Sequence, residues 1–241
     1  MTQRFSGRIA LITGASRGIG RAVARGLARE GAHVVLLARS IAALEELDDE
    51  IKGAGGSATL VKLDLRKGEQ IDALGPSLYE RWGKLDILVA NAGTLGPLSP
   101  IPHVAADAWA DVMDINVNAN FRLIRTLDPL LRRADAGRAV FVTSGASDGQ
   151  NAYWAPYAVS KAALEALVKT YAREIETTQV RVNLLSPGPV RTIMRAKAFP
   201  GEDPATLPDP EELVPLFLDL VLPDQAASGQ VFRFKRAAAL A

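Results

Sequence analysis

The chain has 241 residues, of which 48% are apolar and 23% charged, a balance that supports a large core and excludes a disordered or fibrous chain. Lys and Arg number 28 against 27 Asp and Glu, a formal net charge of +1, so no whole-molecule field exists to hold nucleic acid or an anionic membrane. Cysteine is absent and His33 and His103 are the only histidines, which rules out disulfides and thiolate sites, disfavours a zinc or Ser-His-Asp hydrolase, and leaves no metal site expected. After Met1 the first apolar run, residues 9–12, is far shorter than a signal sequence or a membrane span. A soluble, cytoplasmic protein is the expectation.

In chain order, short β-branched apolar runs alternate with amphipathic stretches, the rhythm of repeated βαβ units. Residues 8–13 predict a strand, 18–30 a helix with Ile19, Val23 and Leu27 on one face, 33–38 a strand, and 41–52 a helix closed by Gly53. Strands at 58–63 and 85–90 flank a helix at 69–82. The runs VVLL and DILVA lack polar alternation, as expected where helices cover both faces of a mostly parallel sheet. Residues 107–133 predict a long helix that Pro129 kinks or ends. A strand at 138–143, a helix at 153–177 with Pro156 in its first turn, and a strand at 180–185 follow.

The character then changes: eight of the fourteen prolines lie from Pro187 onward, and residues 198–232 carry seven acidic side chains and no basic one. Residues 192–210 read as a long mobile excursion within one domain, of the kind that serves as a lid. A helix at 211–221, a last strand at 230–234 and a short AAALA tail complete the chain.

The segment Thr13-Gly-Ala-Ser-Arg-Gly-Ile-Gly20 directly follows the first strand and opens a helix, the context in which a glycine pattern carries information. Gly14 permits a tight turn, Gly18 close backbone approach and Gly20 helix-to-strand packing, while free N–H groups at the helix start suit a pyrophosphate. Gly14, Ser16, Arg17, Gly18, Ile19 and Gly20 are therefore candidate cofactor contacts. A site for NAD(H) needs a carboxylate at the end of the second strand, but Ala38-Arg39-Ser40 stands there, and neither Glu30 nor Glu45 is placed to substitute. Arg39, with Arg17 nearby, suits a 2′-phosphate; NADP(H) is the preferred cofactor and NAD(H) the alternative. Asp64 and Leu65, ending the third strand, fall at the adenine edge, and Asn91, Ala92 and Gly93, ending the fourth, let the backbone lie against a cofactor.

Tyr157-Ala-Val-Ser-Lys161 places a phenol and an ammonium on one helical face, one turn apart. A nearby cation favours the phenolate and makes proton exchange with an alcohol or carbonyl oxygen feasible. With TGASRGIG, Asp64-Leu65, Asn91-Ala92-Gly93, Asn116, Ser144, Tyr157, Lys161 and PGPVRT at 187–192 in this order, the chain closely resembles the classical short-chain dehydrogenase/reductase family over nearly its whole length.

That resemblance implies a single-domain, doubly wound Rossmann fold with a seven-stranded, mostly parallel sheet. It implies an oxidoreductase in which Tyr157 is the acid/base, Ser144 (with Ser147 as the alternative) holds the substrate oxygen, and Lys161 lowers the tyrosine pKa and holds the nicotinamide ribose. Asn116 would bind a water linking Lys161 to solvent. Pro187, Gly188, Val190 and Thr192 would line the nicotinamide side. The substrate pocket is expected from Leu95, Ser144, Trp154, Met194 and Phe199, whose apolar character suits a small apolar ketone or alcohol. The family's 3-oxoacyl reductases end their last strand with a Gly-Gly turn, whereas QVFRFKR here is basic and lacks glycine, which argues against that activity. A homotetramer or homodimer built on the two long helices is implied. The competing reading is a non-catalytic NADP(H)-binding sensor module acting through a partner surface.

Overall fold

A computed structural model describes residues 3–236; the AAALA tail lies outside the described residues. The first half runs β1 (Ile9–Thr13), α1 (Gly18–Arg29), β2 (His33–Ala38), α2 (Ile41–Gly53), β3 (Ser57–Lys62), α3 (Gly68–Asp72), α4 (Leu74–Trp82) and β4 (Ile87–Ala90). The second runs α5 (Ala106–Met113), α6 (Ala119–Leu131), β5 (Arg138–Val142), α7 (Ala155–Glu174), β6 (Arg181–Ser186), α8 (Ile193–Ala198), α9 (Val214–Leu220) and β7 (Val231–Arg233).

All strand pairings are parallel, in the order β3-β2-β1-β4-β5-β6-β7. The two-residue period of a strand divides its side chains between two helix layers. Ala10, Ile12, Val34, Leu36, Val89 and Val140 pack with Val23 and Leu27 of α1, Leu44 and Leu47 of α2 and Phe217 of α9. Leu11, Val35, Leu37, Leu88 and Phe141 pack with Leu78 of α4, Leu123 and Leu127 of α6, and Leu164 and Val168 of α7. This doubly wound arrangement is the Rossmann architecture.

Several boundaries differ from the sequence reading. The helix expected at 69–82 is two, because the ring of Pro76 in a continuous helix would clash with the carbonyl of Asp72; that carbonyl instead accepts from the Thr126 hydroxyl at 3.0 Å. The long helix at 107–133 departs from α geometry not at Pro129, which sits within α6, but at a π-helical turn over Asp114–Asn118. Gly53 lies inside α2, and the positive-φ residue that ends this stretch is Gly55, at φ 82°. Helix α7 begins at Ala155 because Tyr153 takes φ 70°, the only positive φ at a non-glycine among the described residues.

The excursion at 192–210 carries built structure. Helix α8 is followed by a 3₁₀ turn at Pro204–Thr206, and Arg191 pairs with Asp209 while both guanidinium arms of Arg195 meet Glu202 at 2.6 Å. The basic end of the last strand is likewise engaged: Arg236 meets Glu212 at 3.0 Å and the Thr206 carbonyl at 3.4 Å. No helix among the described residues is long and apolar enough to cross a membrane.

Helices α4 and α6 meet through Gly75, where a Cβ would lie 2.4 Å from both the carbonyl oxygen and the hydroxyl of Thr126. Gly75→Ala is expected to destabilise by about 1–3 kcal/mol in urea unfolding, the usual range for overpacking. A Cβ at Gly53 meets nothing within 4 Å, so Gly53→Ala in the last turn of α2 is expected to be neutral or stabilising by up to about 1 kcal/mol.

Candidate active site

The strand order reverses between β1 and β4, and the chain leaves these two strands on opposite sides, opening a crevice at their carboxyl ends. Two side chains tie the ends together. The Thr13 hydroxyl oxygen accepts the N–H groups of Asn91 and Ala92, each at 3.0 Å, and Asn91 Nδ2 donates to the Thr13 carbonyl at 3.0 Å. The glycine loop lies against this tie. Gly14 has φ 68° and a Cβ there would be 3.0 Å from Ala92 Cα; at Gly20 it would be 2.3 Å from the Gly14 carbonyl oxygen. Gly18, at φ 55°, starts α1, and Arg17 precedes it without a side-chain cap, leaving the first-turn N–H groups to an external anion.

Around this loop the remaining strand ends add their groups. Arg39 and Arg17 are exposed at the β2 end and in the loop. Glu30 is paired with Arg4 at 3.0 Å, and Glu45 is exposed within α2. Asp64, next to the half-buried Leu65, has both carboxylate oxygens gripped by Arg66, at 3.0 Å from Nε and 2.7 Å from Nη2. The Arg66 guanidinium holds the Asp64 carboxyl below its ordinary range, with Arg39 adding to the effect against some burial. Arg66 has no place in the sequence reading; its signal was a cation two residues from a strand-end carboxylate.

From the other side of the crevice comes Thr192, whose methyl would touch a Cβ on Gly18 at 3.4 Å. Its hydroxyl caps α8 by accepting the Arg195 N–H at 3.2 Å. Val190 is buried, Pro187 half-buried, and Gly188 turns at φ 68°.

Ser144 follows β5 and Tyr157 lies in the first turn of α7. Burial pushes the Tyr157 phenol up, and a hydrogen bond with Ser144 draws it partly back. The Ser144 oxygen also accepts the Ala146 N–H at 3.2 Å. Lys161 is 3% exposed, donates to the Val142 carbonyl at 2.8 Å, and is lowered to about 8 by burial. Its ammonium lies 5.7 Å from the centre of the Tyr157 ring. In this state the phenol is thus raised, and the group drawing it down is Ser144 rather than Lys161. The Ser147 hydroxyl, the alternative in the sequence reading, donates to Glu165 at 2.7 Å.

Asn116 sits in the π turn with both Nδ2 donors and its Oδ1 engaged. Oδ1 accepts the Thr94 N–H, and Nδ2 donates to the Thr94 carbonyl and the Ser160 hydroxyl, all at 2.9 Å. A water on Asn116 would use the second lone pair of Oδ1 or that of the backbone oxygen, which already accepts from Asn120 Nδ2 at 2.8 Å. A Cβ on Gly93 would lie 3.2 Å from Asn116 Oδ1 and 3.5 Å from Lys161 Nζ, so the small residue lets the β4 end press onto the lysine.

Of the expected pocket residues, Trp154 meets the Tyr157 ring edge-on at 5.9 Å and Phe199 at 5.7 Å. The Arg195 guanidinium lies 3.7 Å over Phe199. Leu95 and Met194 are half-buried, on the loop after β4 and on α8.

Known proteins carry the same pattern. A family model described as short chain dehydrogenase matches residues 8–203. The uncharacterised oxidoreductase YciK of Escherichia coli K12 is 41% identical over 217 residues, 89% of this chain and 86% of that protein. A short-chain dehydrogenase from Pseudomonas syringae has a structure with TM-score 0.93 at 40% identity, covering 97% of this chain and 96% of that one. Another from Shigella flexneri 2a, solved in complex with NADP, gives TM-score 0.92 at 38% identity over 97% and 99% of the two chains. The chain belongs to the short-chain dehydrogenase/reductase family of oxidoreductases.

Proposed function

We propose that the protein is an NADP(H)-dependent oxidoreductase that interconverts a carbonyl and a secondary alcohol on a small, mostly apolar substrate. The observation that carries this reading is a tyrosine, Tyr157, in the first turn of α7, one turn before a buried Lys161 that is anchored on the end of β5, the strand that Ser144 follows. The glycine loop fits a pyrophosphate, since Gly14 and Gly20 let the loop press onto the β4 end, where a Cβ would collide with Ala92, Asn91 or the Gly14 carbonyl, and no side chain caps α1. Arg39 and Arg17 would hold the 2′-phosphate, and the missing carboxylate at the β2 end disfavours NAD(H). The NADP complex of the Shigella relative supports the same choice. Asp64, Leu65, Asn91, Ala92 and Gly93 would border the adenosine and ribose, and Pro187, Gly188, Val190 and Thr192 the nicotinamide.

When bound, the cofactor supplies or removes a hydride at its nicotinamide ring. In reduction, Tyr157 donates its phenolic proton to the carbonyl oxygen as negative charge develops there; in oxidation the phenolate takes the alcohol proton. Ser144 donates a hydrogen bond to the same oxygen. Lys161, protonated below about pH 8, stabilises the phenolate left behind. Trp154 and Phe199 form an aromatic wall beside Tyr157, and residues 192–210, carrying Met194 and Phe199, serve as the lid. Self-association through α5, α6 and α7 completes the proposal.

Tyr157→Phe is expected to lower kcat for a carbonyl substrate with NADPH by about 10²–10⁴-fold while leaving NADPH affinity unchanged. Near-full turnover would contradict the assignment. Lys161 carries a second expectation. Its pKa in the fold, about 8, lies below its ordinary 10.5, so between those values the unfolded chain binds the extra proton and stability rises with pH. At pH 7 the buried ammonium opposes folding. Lys161→Met is therefore expected to abolish turnover, raise the thermal midpoint at pH 7 and remove the rise in stability above pH 8. A lower midpoint at pH 7 would contradict this.

A further inference from the structure

Glu165 lies one helical turn beyond Lys161 and two beyond Tyr157, on the same face of α7. Its carboxylate reaches the end of β5, where Oε1 accepts the hydroxyls of Thr143 at 2.9 Å and Ser147 at 2.7 Å. Oε2 accepts Lys169 at 3.1 Å, an exposed partner. Thr143 immediately precedes Ser144 and Ser147 follows it by three residues, so one oxygen grips the serine's turn from both sides.

Besides these bonds, the turn is held by Ala146, which is buried, and by the Thr143 N–H on the Leu185 carbonyl at 2.9 Å. Inside it the Ser147 N–H donates to the Ser144 carbonyl at 3.1 Å, and the Ala146 N–H to the Ser144 hydroxyl at 3.2 Å. Gly145, Asp148 and Gly149 are exposed, and a Cβ at Gly145 or Gly149 would meet nothing within 4 Å. Hydrogen bonds to an ionised acceptor are short and strong, and two of them from one side chain fix the turn relative to the helix that carries Tyr157 and Lys161. We propose that Glu165 is a positioning residue that holds Ser144 in register with Tyr157 through the hydroxyls of Thr143 and Ser147. The inference rests on the proposed function and adds to it a residue that never touches the substrate. It also gives the two serines separate roles, Ser144 toward the reacting oxygen and Ser147 toward Glu165.

The test compares Glu165→Ala, Glu165→Gln, Ser144→Ala and the Glu165→Ala/Ser144→Ala double variant, with Lys169→Ala as a control for the exposed pair. Amide exchange is followed over residues 143–149, and NADPH oxidation is measured with a panel of aryl ketones. Glu165→Ala is expected to speed exchange of the turn by about tenfold or more and to lower kcat by about 10–100-fold, with NADPH affinity unchanged. Gln keeps an acceptor oxygen and should restore both within about threefold, and Lys169→Ala should leave both as in the wild type. In the Ser144→Ala background the alanine at 165 should cost nothing further, the signature of a residue acting through Ser144.

Unchanged exchange, or a kcat loss that adds fully to that of Ser144→Ala, overturns the proposal. If Glu165→Ala does not fold, the Thr143→Val/Ser147→Ala variant removes the same two hydrogen bonds from the other side and is read in the same way. If the wild type reduces none of the ketones, the oxidoreductase reading with this substrate class fails separately, and amide exchange alone decides the clamp.

Discussion

Everything at the site depends on the reversal of strand order between β1 and β4. In a parallel sheet all strands deliver their carboxyl ends to one edge, and only where neighbouring strands send their chains to opposite sides does that edge open into a crevice. Here the reversal is held by Thr13 and Asn91, three hydrogen bonds at 3.0 Å that lock the two strand ends together. The glycine loop, Arg39, Asp64, Asn91, Ser144 and Pro187 follow β1 to β6 in turn and so reach the same edge although they span most of the chain.

The other half of the site is an exercise in burial. Lys161 is an ammonium sealed under Gly93, beside Asn116 and against the Val142 carbonyl, an environment that favours its neutral form and destabilises the fold near neutral pH. The same low-polarity surroundings strengthen whatever electrostatic effect the ammonium exerts on a neighbouring phenolate. Tyr157 is buried too and its phenol is raised, so a proton held there at rest is the expected state of the free protein. On the proposed function, the arrangement exchanges folding stability for a charge beside the tyrosine that transfers the proton.

What could be read from the sequence was what is local. The glycine loop, the Tyr157 and Lys161 pair and the missing acid at the β2 end depend on a few consecutive residues and on which strand or helix they border, and each sits where its spacing placed it. The parallel sheet was legible because strands buried on both faces lose their polar alternation. Less visible were features made by partners distant in the chain. The π turn at Asn116 is fastened to Thr94 and Ser160, and nothing within residues 107–133 announces those bonds. Arg66 on Asp64 and Glu165 on Thr143 and Ser147 were present as charges at suggestive offsets, but only the fold shows which way they turn. The break before α4 was readable from Pro76, because a proline there cannot continue the turn that ends at Asp72. Within the excursion at 192–210, prolines and acids hid helix α8 and the pairs that Arg191 and Arg195 make along it.

On the proposed function, the crevice at the β1 and β4 ends holds NADP(H) through the glycine loop and Arg39. The most direct test is a fluorescence titration of the purified protein with NADPH and with NADH, repeated on Arg39→Asp. On this reading NADPH binds at least about tenfold more tightly than NADH, a difference of about 1.4 kcal/mol, and Arg39→Asp erases that preference. Equal or tighter binding of NADH by the unaltered protein would contradict it.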